Sequence, residues 1–179
     1  MIFLSSLATI LLLQSPSPQV SRYSEDLDPE IVLSTESAVL EGQPSADHSV
    51  KRYLLAAIDK KTGKVRYRVS HEEIRTGSNF NYFSTVNYLT PEGPVAVRIK
   101  ETINNRANCH RGLCVLTEKL QFPVSAEIID MIADQQEGAA SWRFKLISPQ
   151  GTIQYGLFGK NEAEILRESV RQEKARLTE

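Results

Sequence analysis

Residues 142–157 read WRFKLISPQGTIQYGL, and the fold class turns on them. Trp142, Phe144 and Leu146 alternate with Arg143 and Lys145, Pro149-Gln150-Gly151 supplies turn chemistry, and Ile153, Tyr155 and Leu157 alternate on the return. Successive residues of a pleated strand point to opposite faces, so apolar residues at every second position are what such a strand buries on one side. Two such runs joined by a short turn containing Pro and Gly predict an antiparallel hairpin.

On either side of this hairpin the period changes. In SAEIIDMIADQQ (residues 125–136), Ile128, Ile129, Ile132 and Ala133 share one side at helical spacing, and Ser125 is a candidate N-cap. That predicts a helix of about three turns. Downstream, Asn161 followed three residues later by Glu164 resembles a capping box, and Ala163, Leu166, Val170 and Leu177 mark the apolar stripe of a closing helix.

Farther upstream the alternation returns. Residues 53–58 form a short apolar run, Lys60-Lys61-Thr62-Gly63 a turn, and Val65, Tyr67 and Val69 alternate with Arg66, Arg68 and Ser70. The run 80–89 holds Phe80, Tyr82, Phe83 and Tyr88, a composition that favours a strand, and Pro91-Glu92-Gly93-Pro94 ends it. Val95, Val97, Ile99 and Ile103 predict one further strand, and Leu116, Glu118, Leu120 and Phe122 another. The links are too short for the crossovers that parallel pairs need, so a doubly wound sheet is disfavoured. The expectation is an α+β fold: a mainly antiparallel, curled β-sheet of about seven strands with two helices, open or closed.

The 179 residues suit one domain with tails. Residues 1–13 resemble a signal peptide, because IFLSSLATILLL (residues 2–13) is uncharged, apolar and shorter than the ~20 residues of a membrane-spanning helix. No Lys or Arg precedes the run, prolines follow it, and no Cys lies directly beyond it for lipid attachment. Residues 14–49, rich in Ser, Pro, Glu and Asp, are expected to be a flexible acidic linker whose patches Ile31-Val32-Leu33 and Ala38-Val39-Leu40 can dock on the domain or a partner. Residues 50–179 are the expected β-rich domain. The formal charge of -1 is a cancellation: from Val50 onward there are 20 Lys and Arg against 15 Asp and Glu, whereas the acids Glu25, Asp26, Asp28, Glu30, Glu36, Glu41 and Asp47 precede it with Arg22 alone for balance. Nucleic acid is not an expected partner, since no Lys/Arg-rich run or reader motif is present.

Cys109 and Cys114 flank a hydrophilic loop containing Gly112, an arrangement that favours a local disulfide at a hairpin tip in an oxidising compartment. Zinc is disfavoured because Cys109, His110 and Cys114 leave a tetrahedral site one ligand short, and no cofactor motif is present. In His71-Glu72-Glu73 the first and third residues share a strand face, and an exposed strand end is expected there. Arg66, Arg68, Arg98 and Lys100 are a candidate anion-binding set if their strands are neighbours. These readings favour an exported, periplasmic or extracellular, non-enzymatic domain that binds or builds the cell envelope, with contact to an anionic surface. A small exported hydrolase and a carrier of an apolar ligand are the alternatives, and specific partners are not legible.

Overall fold

The computed structural model describes residues 19–25, 27–35, 48–136 and 138–178. The signal-like run 1–13 and the patch at residues 38–40 lie outside them. Within the described residues the fold is α+β and mostly antiparallel β, with two open sheets in place of one curled sheet.

The larger sheet is built from β1 (Val20–Tyr23), β2 (Glu30–Thr35), β3 (His48–Asp59), β4 (Val65–Thr76), β7 (Glu101–His110) and β8 (Leu113–Val124). Its order is β1-β2-β3-β4-β8-β7, with every neighbouring pair antiparallel. The smaller sheet has β5 (Thr85–Thr90), β6 (Gly93–Arg98), β9 (Trp142–Ile147) and β10 (Ile153–Phe158) in the order β10-β9-β5-β6. Helices α1 (Ala126–Ala133) and α2 (Lys160–Arg176) pack on each other, and α2 covers β1, β2 and β3.

Within the part read as linker, residues 20–23 and 30–35 are strands β1 and β2 of the larger sheet. Ile31 and Leu33 bury opposite Ile58 and Ala56, so β2 extends the larger sheet because its β-branched and Leu side chains fit the pleat that β3 offers. The domain therefore includes residues assigned by composition to a tether. The expected strand from Val95 to Ile103 is likewise divided. It runs as β6 in one sheet and β7 in the other, with Ile99-Lys100 making the passage. Residues 80–84 are irregular, and only the second half of the aromatic run is a strand.

Both sheets contribute to one core. Leu54, Ile58, Val69, Leu120 and Phe122 from the larger sheet meet Val86, Phe144, Leu146 and Phe158 from the smaller one, with Ile128, Ile129, Ile132 and Leu166 from the helices. Aromatic rings form the contact between sheets: Phe122 lies edge-on to Phe144 at 5.3 Å and stacked with Tyr88 at 6.0 Å. Trp142 donates its indole N–H to the Leu89 carbonyl at 2.8 Å, so its buried polar atom is satisfied. The cap of α2 is Gly159, whose N–H donates to Glu162 Oε2 at 2.8 Å, two residues earlier than the expected Asn161–Glu164 pair. Helix α1 is eight residues long, shorter than expected, and buries the four residues read from its spacing.

The hairpin that decided the fold class is present, but its return strand has the opposite phase. Ser148 and Thr152 close a three-residue loop, with Gly151 at φ 85° and the Thr152 N–H donating to Ser148 Oγ at 2.9 Å. This turn sets Ile153 opposite Ile147, Tyr155 opposite Lys145 and Leu157 opposite Arg143. Gln154, Gly156 and Phe158 thus face inward. Gly156 is required there because the Phe144 ring lies over its backbone, 2.1 Å from where a Cβ would stand.

Candidate functional site

On the inner face of the larger sheet, the strand pairs place polar groups where a core would ordinarily be apolar. Arg52 lies opposite His71, and Glu73 opposite Glu118. All four are buried, so the expected exposed strand end at His71-Glu72-Glu73 is corrected: only Glu72 faces outward, paired with Lys119 at 3.7 Å. A neighbouring sheet and loop cover positions that the strand's own sequence leaves open.

Each buried charge is held. Arg52 donates to the Tyr155 carbonyl at 2.7 Å and stands 6.0 Å from the Phe144 ring centre, which ties the two sheets together. Glu73 accepts from the Asn81 amide at 2.7 Å and meets His48 Nε2 at 2.9 Å. Glu118 accepts the backbone N–H groups of Asn81 and Phe83, at 2.9 and 3.1 Å. Burial raises the Glu118 pKa, with the Glu73 charge adding to it, against the two amides that lower it.

His71 is the least matched. Neither ring nitrogen makes a hydrogen bond among the described residues, and the ring stands edge-on to Phe83 at 6.2 Å. Burial, assisted by the Arg52 charge, pushes its pKa down to about 3, although the nearby Gln154 amide acts in the other direction. The ring is therefore neutral at ordinary pH. Ser70, its neighbour in sequence, points to the opposite face. Among the described residues no nucleophile is hydrogen-bonded to either His71 or the His48–Glu73 pair.

Glu118 clamps a loop above this network. Its two backbone bonds flank Tyr82, whose φ of 52° is left-handed and costs a bulky residue about 1–2 kcal/mol. The clamp presents the Tyr82 ring to solvent, 52% exposed, edge-on to Phe80 at 5.6 Å. An open cleft of about 470 Å³ lies here, lined by Arg75, residues 77–82, Gln150 and Thr152. Arg75 donates to the Asn79 carbonyl, and Gly77 leaves room for its guanidinium. Phe83 and Tyr88, from the same aromatic run, pack in the core.

Cys109 and Cys114 are joined by a disulfide and lie directly opposite each other on β7 and β8. Arg111 and Gly112 turn the tip with φ of 49° and 83°, and His110 is exposed beside them. Both thiols are consumed, so neither is a metal ligand.

The four expected anion-binding residues do not converge through strand pairing. Arg66 and Arg68 are on the outer face of β4, whereas Arg98 and Lys100 end β6 and follow it in the other sheet. Arg66 is bonded to Glu30, and Arg68 donates to Gln121 Oε1 at 3.3 Å. A different cationic surface is formed, which the sequence reading missed. Register places Arg98, Arg143 and Lys145 on the outward side of the smaller sheet, with Tyr155, Ile153, Leu157 and Ile147 from the hairpin. Leu89, Ala96 and Pro94 extend the apolar surface along β5 and β6. Tyr155 is 58%, Leu89 54% and Ile153 49% exposed. No Asp or Glu points outward from these four strands, and Glu92 in the β5–β6 turn is at the rim. Among the described residues none of the three cations has a salt bridge. The signal was present in the hairpin, whose two apolar runs contain cations on one strand and none on the other.

The class defined at this point is an α+β domain of two open antiparallel sheets with a disulfide-closed hairpin. No family model, curated protein or solved structure matches the chain.

Proposed function

We propose that this is an exported, non-enzymatic domain of the cell envelope that docks on an anionic lipid surface through the outward side of its smaller sheet. One observation carries the reading: an exposed, largely apolar sheet face, with Thr85 and Asn87 its neutral polar residues, bears three cations that among the described residues have no salt bridge, and no carboxylate. Contiguous exposed apolar surface favours a partner that removes it from water, and cations among it favour one that is negatively charged. A bilayer with anionic headgroups offers both at once, the acyl boundary to Ile153, Leu157 and Tyr155 and the phosphates to Arg98, Arg143 and Lys145. Each cation near such a surface contributes about 1 kcal/mol. The disulfide and the signal-like run support export. For the hydrolase alternative, no nucleophile–base pair is assembled among the described residues. For the apolar carrier, the cleft at Phe80 and Tyr82 has a largely polar lining.

Sedimentation with phosphatidylcholine vesicles, with and without an equal part of phosphatidylglycerol, tests the docking. Binding is expected to the anionic vesicles alone, to weaken with salt, and to fall about 100-fold when Arg98, Arg143 and Lys145 are all replaced by Ala. Equal binding to neutral vesicles, or a triple variant that binds like the wild type, overturns it. Capture by soluble poly-glutamate without binding to vesicles identifies an acidic protein partner instead and also overturns it. Export is tested by the mass of the secreted, non-reduced chain: an intact Met1 with two free thiols contradicts it.

A further inference from the structure

Independently of the lipid docking, we propose that the cleft between residues 77–82 and the β9–β10 turn binds a neutral saccharide. Four observations converge on that chemistry. At about 470 Å³ the cleft is within the range of small-molecule sites. Its rim carries an aromatic pair, Phe80 and Tyr82, with the Tyr82 ring presented to solvent. Most of the remaining lining consists of neutral hydroxyls and amides, from Ser78, Asn79, Gln150 and Thr152. Lastly, a buried carboxylate is committed to holding Tyr82 in a left-handed conformation that the side chain itself disfavours.

A pyranose ring has a face of C–H groups and a rim of hydroxyls. The C–H face, slightly positive, packs on the electron-rich face of an aromatic ring, while amides and hydroxyls exchange hydrogen bonds with the rim. An apolar ligand leaves those amides unpaired, which is unfavourable. For an anionic ligand the cleft offers the single guanidinium of Arg75, already bonded to the Asn79 carbonyl. Backbone strain persists where the surrounding structure enforces it, and here the enforced feature is the placement of an aromatic ring beside a polar recess.

The test uses the full chain with its disulfide intact. Maltotriose, cellotriose and tri-N-acetylchitotriose are titrated separately at millimolar concentration, and backbone amide shifts are followed by NMR. At least one is expected to shift the amides of residues 77–82 and 150–152. Two variants separate recognition from folding. Tyr82→Phe retains the ring and is expected to bind like the wild type. Tyr82→Gly relieves the left-handed strain while removing the ring, so its thermal midpoint is expected to equal or exceed that of the wild type while affinity falls about tenfold. Absence of shifts with all three sugars overturns the proposal, as does binding that survives in a folded Tyr82→Gly protein. Neither result depends on vesicle binding, so the two readings stand or fall separately.

Discussion

The two sheets dispose of charge in opposite ways. The larger sheet takes Arg52, His71, Glu73 and Glu118 inside, and on its outer face Arg66 meets Glu30 and Lys119 meets Glu72. The smaller sheet is largely apolar within, where Val86, Trp142, Phe144, Leu146 and Phe158 are buried, and carries Arg98, Arg143 and Lys145 outside, without a salt bridge among the described residues. Buried charges need partners because low-dielectric surroundings penalise an unsatisfied ion, and exposed cations in water do not. The buried ions Arg52, Glu73 and Glu118 are each held by a partner, and the exposed cations of the smaller sheet are the basis of the proposed docking surface.

The largest expected effect is at the aromatic contact that keeps the smaller sheet's interior apolar. Phe144 packs against Phe122, Trp142 and Phe158, covers Gly156 and faces Arg52. Phe144→Ala is expected to cost about 3–5 kcal/mol by urea unfolding. A loss below 1 kcal/mol would show that the sheets do not share a core.

Acid tests the larger sheet's interior. With its pKa at about 3, His71 stays neutral in the fold while the unfolded chain takes up a proton near pH 6.5. The unfolded state therefore binds more protons between these values, and stability falls as the pH falls through that window. Between pH 7 and pH 5 the His71 contribution amounts to about 2 kcal/mol. His71→Leu is expected to flatten the urea-derived stability profile by that amount, whatever its effect at pH 7. An unchanged slope would mean that the ring is not sequestered from water.

The smallest effect concerns the outer faces themselves. Arg66→Ala breaks an exposed pair with Glu30 and is expected to cost no more than about 1 kcal/mol. Lys145→Ala removes no partner, so no measurable change in thermal midpoint is expected. A larger loss at Lys145 than at Arg66 would reverse the comparison.

Local pattern made much of this legible. The period of two revealed β3, β4 and β8 of the larger sheet and β9 and β10 of the smaller, the spacing of Ile128, Ile129 and Ile132 located α1, and the Cys109–Cys114 spacing announced the disulfide. The buried network was hidden because His71 and Glu73 are polar residues on a strand that reads as half wet, and only the loop bearing Asn81 and Phe83 seals them in. β2 was hidden for a related reason: six residues in an acidic stretch look like tether until β3 is there to pair with them. The cationic face was concealed by a turn. Ile153, Tyr155 and Leu157 look like core in sequence, and the three-residue loop at residues 149–151 turns them outward.

By itself, then, the order of side chains determined the element types, the antiparallel preference and the covalent staple, because each follows from interactions between residues close along the chain. Tertiary structure decided which sheet each strand joined, which face of β10 was wet and which charges were enclosed. Those outcomes depend on register and on coverage by distant segments, and alternation along one strand specifies two faces without saying which of them water will reach.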